Sequence, residues 1–210
     1  MTMDPDEAGR GQESGLTKGR VEALTDGIFA FAMTLLVTTL DFPSPDASLP
    51  PLTLAGLISG YFPDFLNYLI AFVVLAGFWI AHHALFHHIR FIDRTLLWTN
   101  VLSLLFVALL PFSTDLVGDY PDVPLAAIVF EANLLAIGLS LFLIWSYATA
   151  GRRLVEKDLD ERTVRVHAQR TLVIPAVSAL GILLALLGFT WTTLVYATTP
   201  ALVLLIEHRG

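Results

Sequence analysis

The chain of 210 residues is 55% hydrophobic and only 15% charged, with a mean hydropathy of +0.70. Soluble domains carry about 25% charged residues, so the apolar excess points to long membrane segments. A net charge of −7 argues against nucleic-acid binding, and the lack of cysteine removes disulfides, thiolate nucleophiles and thiolate metal ligands.

The first 18 residues, MTMDPDEAGRGQESGLTK, are polar and acidic, without the basic n-region and apolar h-region of a signal peptide. They read as a disordered cytoplasmic tail, residues 1–18, ahead of one membrane domain, residues 19–210. Six later segments are long enough to cross a core of about 30 Å, which takes roughly 20 helical residues. The first, about 22–40, stops before the turn-rich DFPSPD. The second, about 61–82, carries Pro63 in its first turn, where a missing N–H costs least. The LPPLTLAGLISG before it is too short to cross and reads as a short interfacial helix. The third, about 94–110, is expected to end at Pro111, and the fourth covers about 124–148. Between the fourth and fifth lies GRRLVEKDLDERTVRVHAQR, whose closely spaced charges of both signs suggest solvated helical extensions of both spans. The fifth, about 171–188, has Pro175 in its first turn; the sixth, about 191–206, is short and follows a tight turn at GFTWTT, as in a hairpin. Five spans with a re-entrant last segment is the alternative. The expected fold class is an all-α integral membrane protein with six transmembrane helices.

The basic residues give the orientation. Arg10, Lys18 and Arg20 precede the first span, and Arg90 and Arg94 separate the second from the third. Arg152, Arg153, Lys157, Arg162, Arg165 and Arg170 separate the fourth from the fifth, and Arg209 follows the sixth. The other three connections hold no Lys or Arg. Six spans with both termini cytoplasmic put every basic residue inside.

Polar residues at membrane depth are the candidates for function. Asp26 lies four residues into the first span, about 6 Å along its axis, and caps a helix end or ties helices together. Trp79, His82 and His83 end the second span while Arg94, Trp98 and Asn100 open the third, all on the same side of the membrane. In HHALFHH, His83 and His87 stand one turn apart, a metal-compatible spacing, but no Cys, Asp or Glu within the run completes a ligand set. Hydrogen-bonded interfacial histidines are the expectation, with no metal and no cofactor. On the first span Gly27, Phe31, Thr34, Leu35 and Thr38 share one helical side, while Phe29, Met33, Leu36 and Leu40 take the other. Small hydroxyls alternating with apolar residues suit a pathway gated by dewetting. The same threonines suit a packing seam in which each hydroxyl bonds its own helix backbone. Periodicity leaves the two level. Asp64, Asn67, Glu131 and Asn133 lie toward the other side of the membrane, as an outer vestibule attractive to cations or as ties between spans. Asp41, Asp46, Asp115, Asp119 and Asp122 in the outer connections lean toward cations.

The opening of the first span resembles the signature of the TMEM175 family of potassium channels in its bacterial single-repeat form. That signature is an Arg, three residues, then Phe-Ser-Asp; here it reads Arg20, VEA, Leu24, Thr25, Asp26. The WIAHHALF end of the second span and the stretch from Arg94 to Asn100 extend the likeness over essentially the whole chain after the tail. The resemblance implies a homotetramer whose first helices line a central pore without a carbonyl filter loop, and no TVGYG-like stretch is present. It places an apolar constriction at Phe31, a hydroxyl layer linked to selectivity at Thr34, and a further layer, commonly Leu, at Thr38, with Leu35 on the same lining. It further implies a polar network joining Arg20, Thr25 and Asp26 to Trp79, His83 and Asn100. The partners so implied are the lipid bilayer, permeant K+ and other monovalent cations, and further copies of the chain in a plasma membrane. A proton-coupled secondary transporter using Asp26, Asp64 or Glu131 is the alternative. An intramembrane enzyme is not expected, because Glu131 and the histidines fall toward opposite sides of the membrane.

Overall fold

The computed structural model describes residues 17–40, 54–189 and 192–199, together with Leu202, Val203 and Ile206. Arg10, Arg209, most of the tail and the whole DFPSPD run, with Asp41 and Asp46, lie outside the described residues. Helix α1 spans Lys18–Leu35 and tightens into a 3-10 turn at Leu36–Thr39. Then come α2 (Leu54–His88), α3 (Arg94–Asp119), α4 (Pro124–Thr149), α5 (Glu161–Thr171), α6 (Val173–Leu186) and a 3-10 segment at Thr192–Thr198. Among the described residues, five helical stretches are long and apolar enough to cross a membrane: Lys18–Thr39, Phe62–His88, Arg94–Asp119, Pro124–Arg152 and Glu161–Leu186.

Three helix boundaries differ from those expected, each for a local reason. The stretch before Pro63 is not a separate interfacial helix: the backbone is helical without interruption from Leu54 to His88. At 1.5 Å per residue α2 is about 50 Å long, well beyond the hydrocarbon core. Pro111 does not end α3, which continues to Asp119. Packing holds the helix through the missing N–H, since Pro111 is buried among its neighbours. Between α4 and α5 the chain is not helical throughout. Gly151 and Arg152 adopt φ of 61° and 54°, which turns the backbone away from the α4 axis. Helix resumes only at Glu161, capped by Asp160, whose carboxylate accepts from the Thr163 N–H and hydroxyl at 2.7 and 2.6 Å. Those bonds hold the Asp160 carboxyl below the ordinary carboxylate range. The break between α5 and α6 falls at Leu172, where the Pro175 ring and its missing N–H act against the Thr171 carbonyl four residues back.

The connection after α4 folds back as a clamp. The Arg90 N–H donates to the Leu154 carbonyl at 2.8 Å, and Ile89 and Val155 form an isolated antiparallel bridge. Asp93 caps α3 through the Leu96 N–H at 2.8 Å and accepts the Tyr147 hydroxyl at 2.6 Å. The Arg153 guanidinium lies 4.8 Å over the Tyr147 ring. One carboxylate therefore ties the start of α3 to the end of α4.

The core runs along α4, where Phe130, Leu134, Ile137, Leu141, Ile144 and Trp145 are all buried. Against it α6 approaches closely: a Cβ at Gly138 would stand 2.5 Å from Pro175 Cδ. Gly138→Val is expected to lower the melting temperature of the purified protein by an overpacking cost of about 1–3 kcal/mol. Gly77→Ala, where a Cβ meets nothing within 4 Å, is expected not to lower it. Equal losses in the two variants would mean that this approach carries no special tightness.

Candidate functional site

Helix α1 is the least enclosed of the spans: 28% of its most apolar window is buried, against 56% for α4. Its buried side is Val21, Thr25, Phe29, Ala32 and Leu36, a regular 3- and 4-residue spacing. That side packs on α2 and α3. The opposite side is open. Gly27, Phe31, Thr34 and Thr38 are exposed, with the Phe31 ring 65% accessible, and Leu35 stands half-buried at the margin. The Thr34 hydroxyl donates to the Phe31 carbonyl and the Thr38 hydroxyl to the Leu35 carbonyl, both at 2.7 Å. Each hydroxyl proton is thus spent on the helix's own backbone three residues back. The hydroxyl oxygens keep their lone pairs on the open side.

The rotation of α1 is set near its start. The Thr25 hydroxyl, fully buried, accepts from Asn100 Nδ2 of α3 at 3.1 Å. Asn100 Oδ1 stands 2.8 Å from His82 Nε2 of α2. Three helices meet in two bonds. The His82 ring stacks on Phe86 with centroids 4.1 Å apart, which fixes its plane. One position further round α1, exposed Asp26 accepts the Trp79 indole N–H at 2.9 Å.

The structure therefore brings Thr25, Asp26, Trp79 and Asn100 together across α1, α2 and α3. Arg20 is exposed on the first turn of α1. His83 is exposed with its ring centroid 6.2 Å from Trp79, while its neighbour His82 occupies the buried place beside Asn100. The pairing of His82 with Asn100 was not singled out in the sequence. Its signal was there: Ala71, Leu75, Phe78, His82 and Phe86 keep one helical face, and that face is the buried one.

The polar residues at the other end of the bundle act as ties. Asn133 Nδ2 donates to Ser113 Oγ at 3.1 Å, and the Thr193 hydroxyl donates to Asn67 Oδ1 at 3.1 Å. Glu131 is fully buried, which removes it from any open vestibule. Half-buried Asp64 lies near Gly118 at the end of α3.

A family model described as endosomal/lysosomal potassium channel TMEM175 matches residues 20–111, the stretch that contains this site. A potassium channel of Streptomyces collinus is 30% identical over 151 residues, covering 70% of this chain and 72% of that one. The chain belongs to the TMEM175 family. The TMEM175 likeness extends to the fold. The crystal structure of a lysosomal potassium-selective channel TMEM175 homologue from Chamaesiphon minutus matches with a TM-score of 0.73 at 25% identity, over 90% of this chain and 97% of that one. The rat endosomal/lysosomal proton channel TMEM175 is 32% identical over 152 residues, 66% of this chain and 30% of that protein. TMEM175 is a family of channels and not of enzymes, and this member is a multi-pass membrane protein.

Asn100→Ala would strand the Thr25 hydroxyl and the His82 ring in the bundle. It is expected to cost about 1–3 kcal/mol, read as a lower melting temperature in detergent. Trp79→Phe removes one bond at an exposed position and is expected to cost less. Equal destabilisation would show that the exposed pair anchors α1 as firmly as the buried one.

Proposed function

We propose that this chain is the subunit of a homotetrameric, potassium-permeable cation channel whose pore is lined by α1. The observation that carries this reading is the open side of the least enclosed span, where two threonine hydroxyls stand with their protons already committed to backbone carbonyls. Oxygen lone pairs are what a partly dehydrated cation requires. A single subunit offers one such stripe, and four copies about an axis would enclose a water-sized path. The relatives named as potassium channels support K+ as the permeant ion. Phe31 forms the apolar constriction, Thr34 the coordinating layer, and Leu35 and Thr38 complete the lining. Arg20, Thr25, Asp26, Trp79, His83 and Asn100 hold the helix behind it.

The proposed topology has six spans, the last at about 191–206, with residues 19–210 forming one channel domain behind the tail of residues 1–18. Every Lys and Arg then lies on the cytoplasmic side of a plasma membrane, together with both termini. A proton-coupled carrier is the second reading. What favours it is an intramembrane carboxyl, Glu131, with one buried oxygen lacking a hydrogen bond.

Reconstitution in liposomes separates the two. Under a K+ gradient without valinomycin, passive flux independent of any proton gradient is expected. Flux that saturates and strictly follows protons would replace the channel with the carrier. Thr34→Ala is expected to shift the K+/Na+ permeability ratio while leaving cross-linking to a tetramer intact. An unchanged ratio removes Thr34 from the coordinating layer, and a fully active monomer removes the shared pore.

A further inference from the structure

Away from α1, one ionisable side chain among the described residues is enclosed completely. Glu131, seven residues into α4, is 0% exposed. The Tyr196 hydroxyl, from the 3-10 segment, donates to Glu131 Oε2. The Ser178 hydroxyl of α6 lies 2.8 Å from the Tyr196 hydroxyl. Gly181, nearly one turn after Ser178, leaves the notch that the carboxyl fills; a Cβ there would overlap Cδ and both oxygens. Thr192 also bears on the carboxyl. Yet Glu131 Oε1 and Thr192 Oγ1 are both buried without a hydrogen bond.

Charge pairing does not account for the cluster. The Tyr196 hydroxyl acts on Glu131, and no ion pair to Glu131 is found among the described residues. The basic residues of the described chain lie at 18–20, 90–94 and 152–170. The last of these groups ends at Arg170, eleven residues before Gly181 and so about 16 Å away along the helix axis. A carboxylate in the notch would be an uncompensated charge inside an apolar bundle, at a cost of several kcal/mol. A carboxylic acid needs no counter-ion. With a proton on Oε1, that oxygen becomes a donor, while Oε2 stays a carbonyl that accepts from Tyr196.

We propose that Glu131, Tyr196, Ser178 and Thr192 form a proton-binding site in which the neutral carboxyl fastens the 192–198 segment to α4 and α6. Release of that proton in alkaline solution places a charge in the Gly181 notch and loosens the segment. The site lies on α4, outside the proposed pore lining, and its test requires no ion flux, so it stands or falls separately from the channel reading.

Infrared difference spectroscopy of the purified protein in nanodiscs at neutral pH tests it. The carbonyl band of a protonated carboxylic acid is expected in the wild type and lost in Glu131→Gln. In Tyr196→Phe, which takes the hydrogen bond from the Oε2 carbonyl, the band should move to higher frequency. Thermal melting should fall from neutral to alkaline pH in the wild type and fall less in Glu131→Gln, which keeps the shape and stays neutral. No acid band in the wild type, a band that survives Glu131→Gln, or equal alkaline sensitivity in the two proteins overturns the proposal. Should the Gln variant fail to fold, an unshifted band in Tyr196→Phe overturns it instead.

Discussion

A side-chain amide inside an apolar bundle must find its hydrogen bonds on neighbouring helices, because the surrounding medium offers none. Asn100 meets that demand in two directions, through Nδ2 to Thr25 of α1 and Oδ1 to His82 of α2. Interhelical hydrogen bonds of this kind contribute only about 0.6–2 kcal/mol each. Their importance here is geometric. A bond of about 3 Å to Thr25 allows α1 one rotation about its axis. That rotation turns Phe29, Ala32 and Leu36 inward, and it leaves Gly27, Phe31, Thr34 and Thr38 on the open side.

The open side would not by itself distinguish a pore from a seam. A threonine whose hydroxyl bonds its own backbone is tolerated by lipid and by a packed interface, and both Thr34 and Thr38 are bonded in this way. Two further facts shift the balance. The polar stripe lies on the span with the least internal burial among the described residues, so the rest of the described chain leaves it uncovered. The chain also belongs to a family of channels. Phe31 stands on that open side too, its ring 65% exposed.

Much of this was legible in the sequence because the signals are periodic. The 3- and 4-residue spacing divided α1 into its two sides, and the structure puts Phe29 and Leu36 in and Phe31 and Thr34 out. Helix boundaries were less legible where tertiary packing overrides a local breaker. Pro111 reads as a stop, but it is buried against neighbours within α3, and the helix passes through it. The 151–170 connection reads as helical from its charge spacing, which holds from Glu161 onward, but positive φ at Gly151 and Arg152 diverts its first half into a clamp. His82 and His83 differ by about 100° around the helix axis. A pattern of residue types does not resolve that angle unless the apolar face of α2 is traced first.

Helix α4 links two polar systems at its two ends, and they differ in kind. At one end the Trp145 indole donates to the Val164 carbonyl and the Tyr147 hydroxyl to Asp93, beside the charged clamp where Arg153 also lies. Counter-charges are available there, since Arg153 stands beside Asp93. At the other end Glu131 has hydroxyls and a glycine notch for company, and only neutral groups can be enclosed cheaply. The family match, residues 20–111, covers α1, α2 and the larger part of α3, and it stops before α4 begins. The residues proposed to meet the ion therefore lie within the matched stretch, whereas the buried carboxyl lies on the supporting bundle behind it. A change in the charge of Glu131 would reach α1 only through that bundle, by altering how α6 and the 192–198 segment hold α4 against α3.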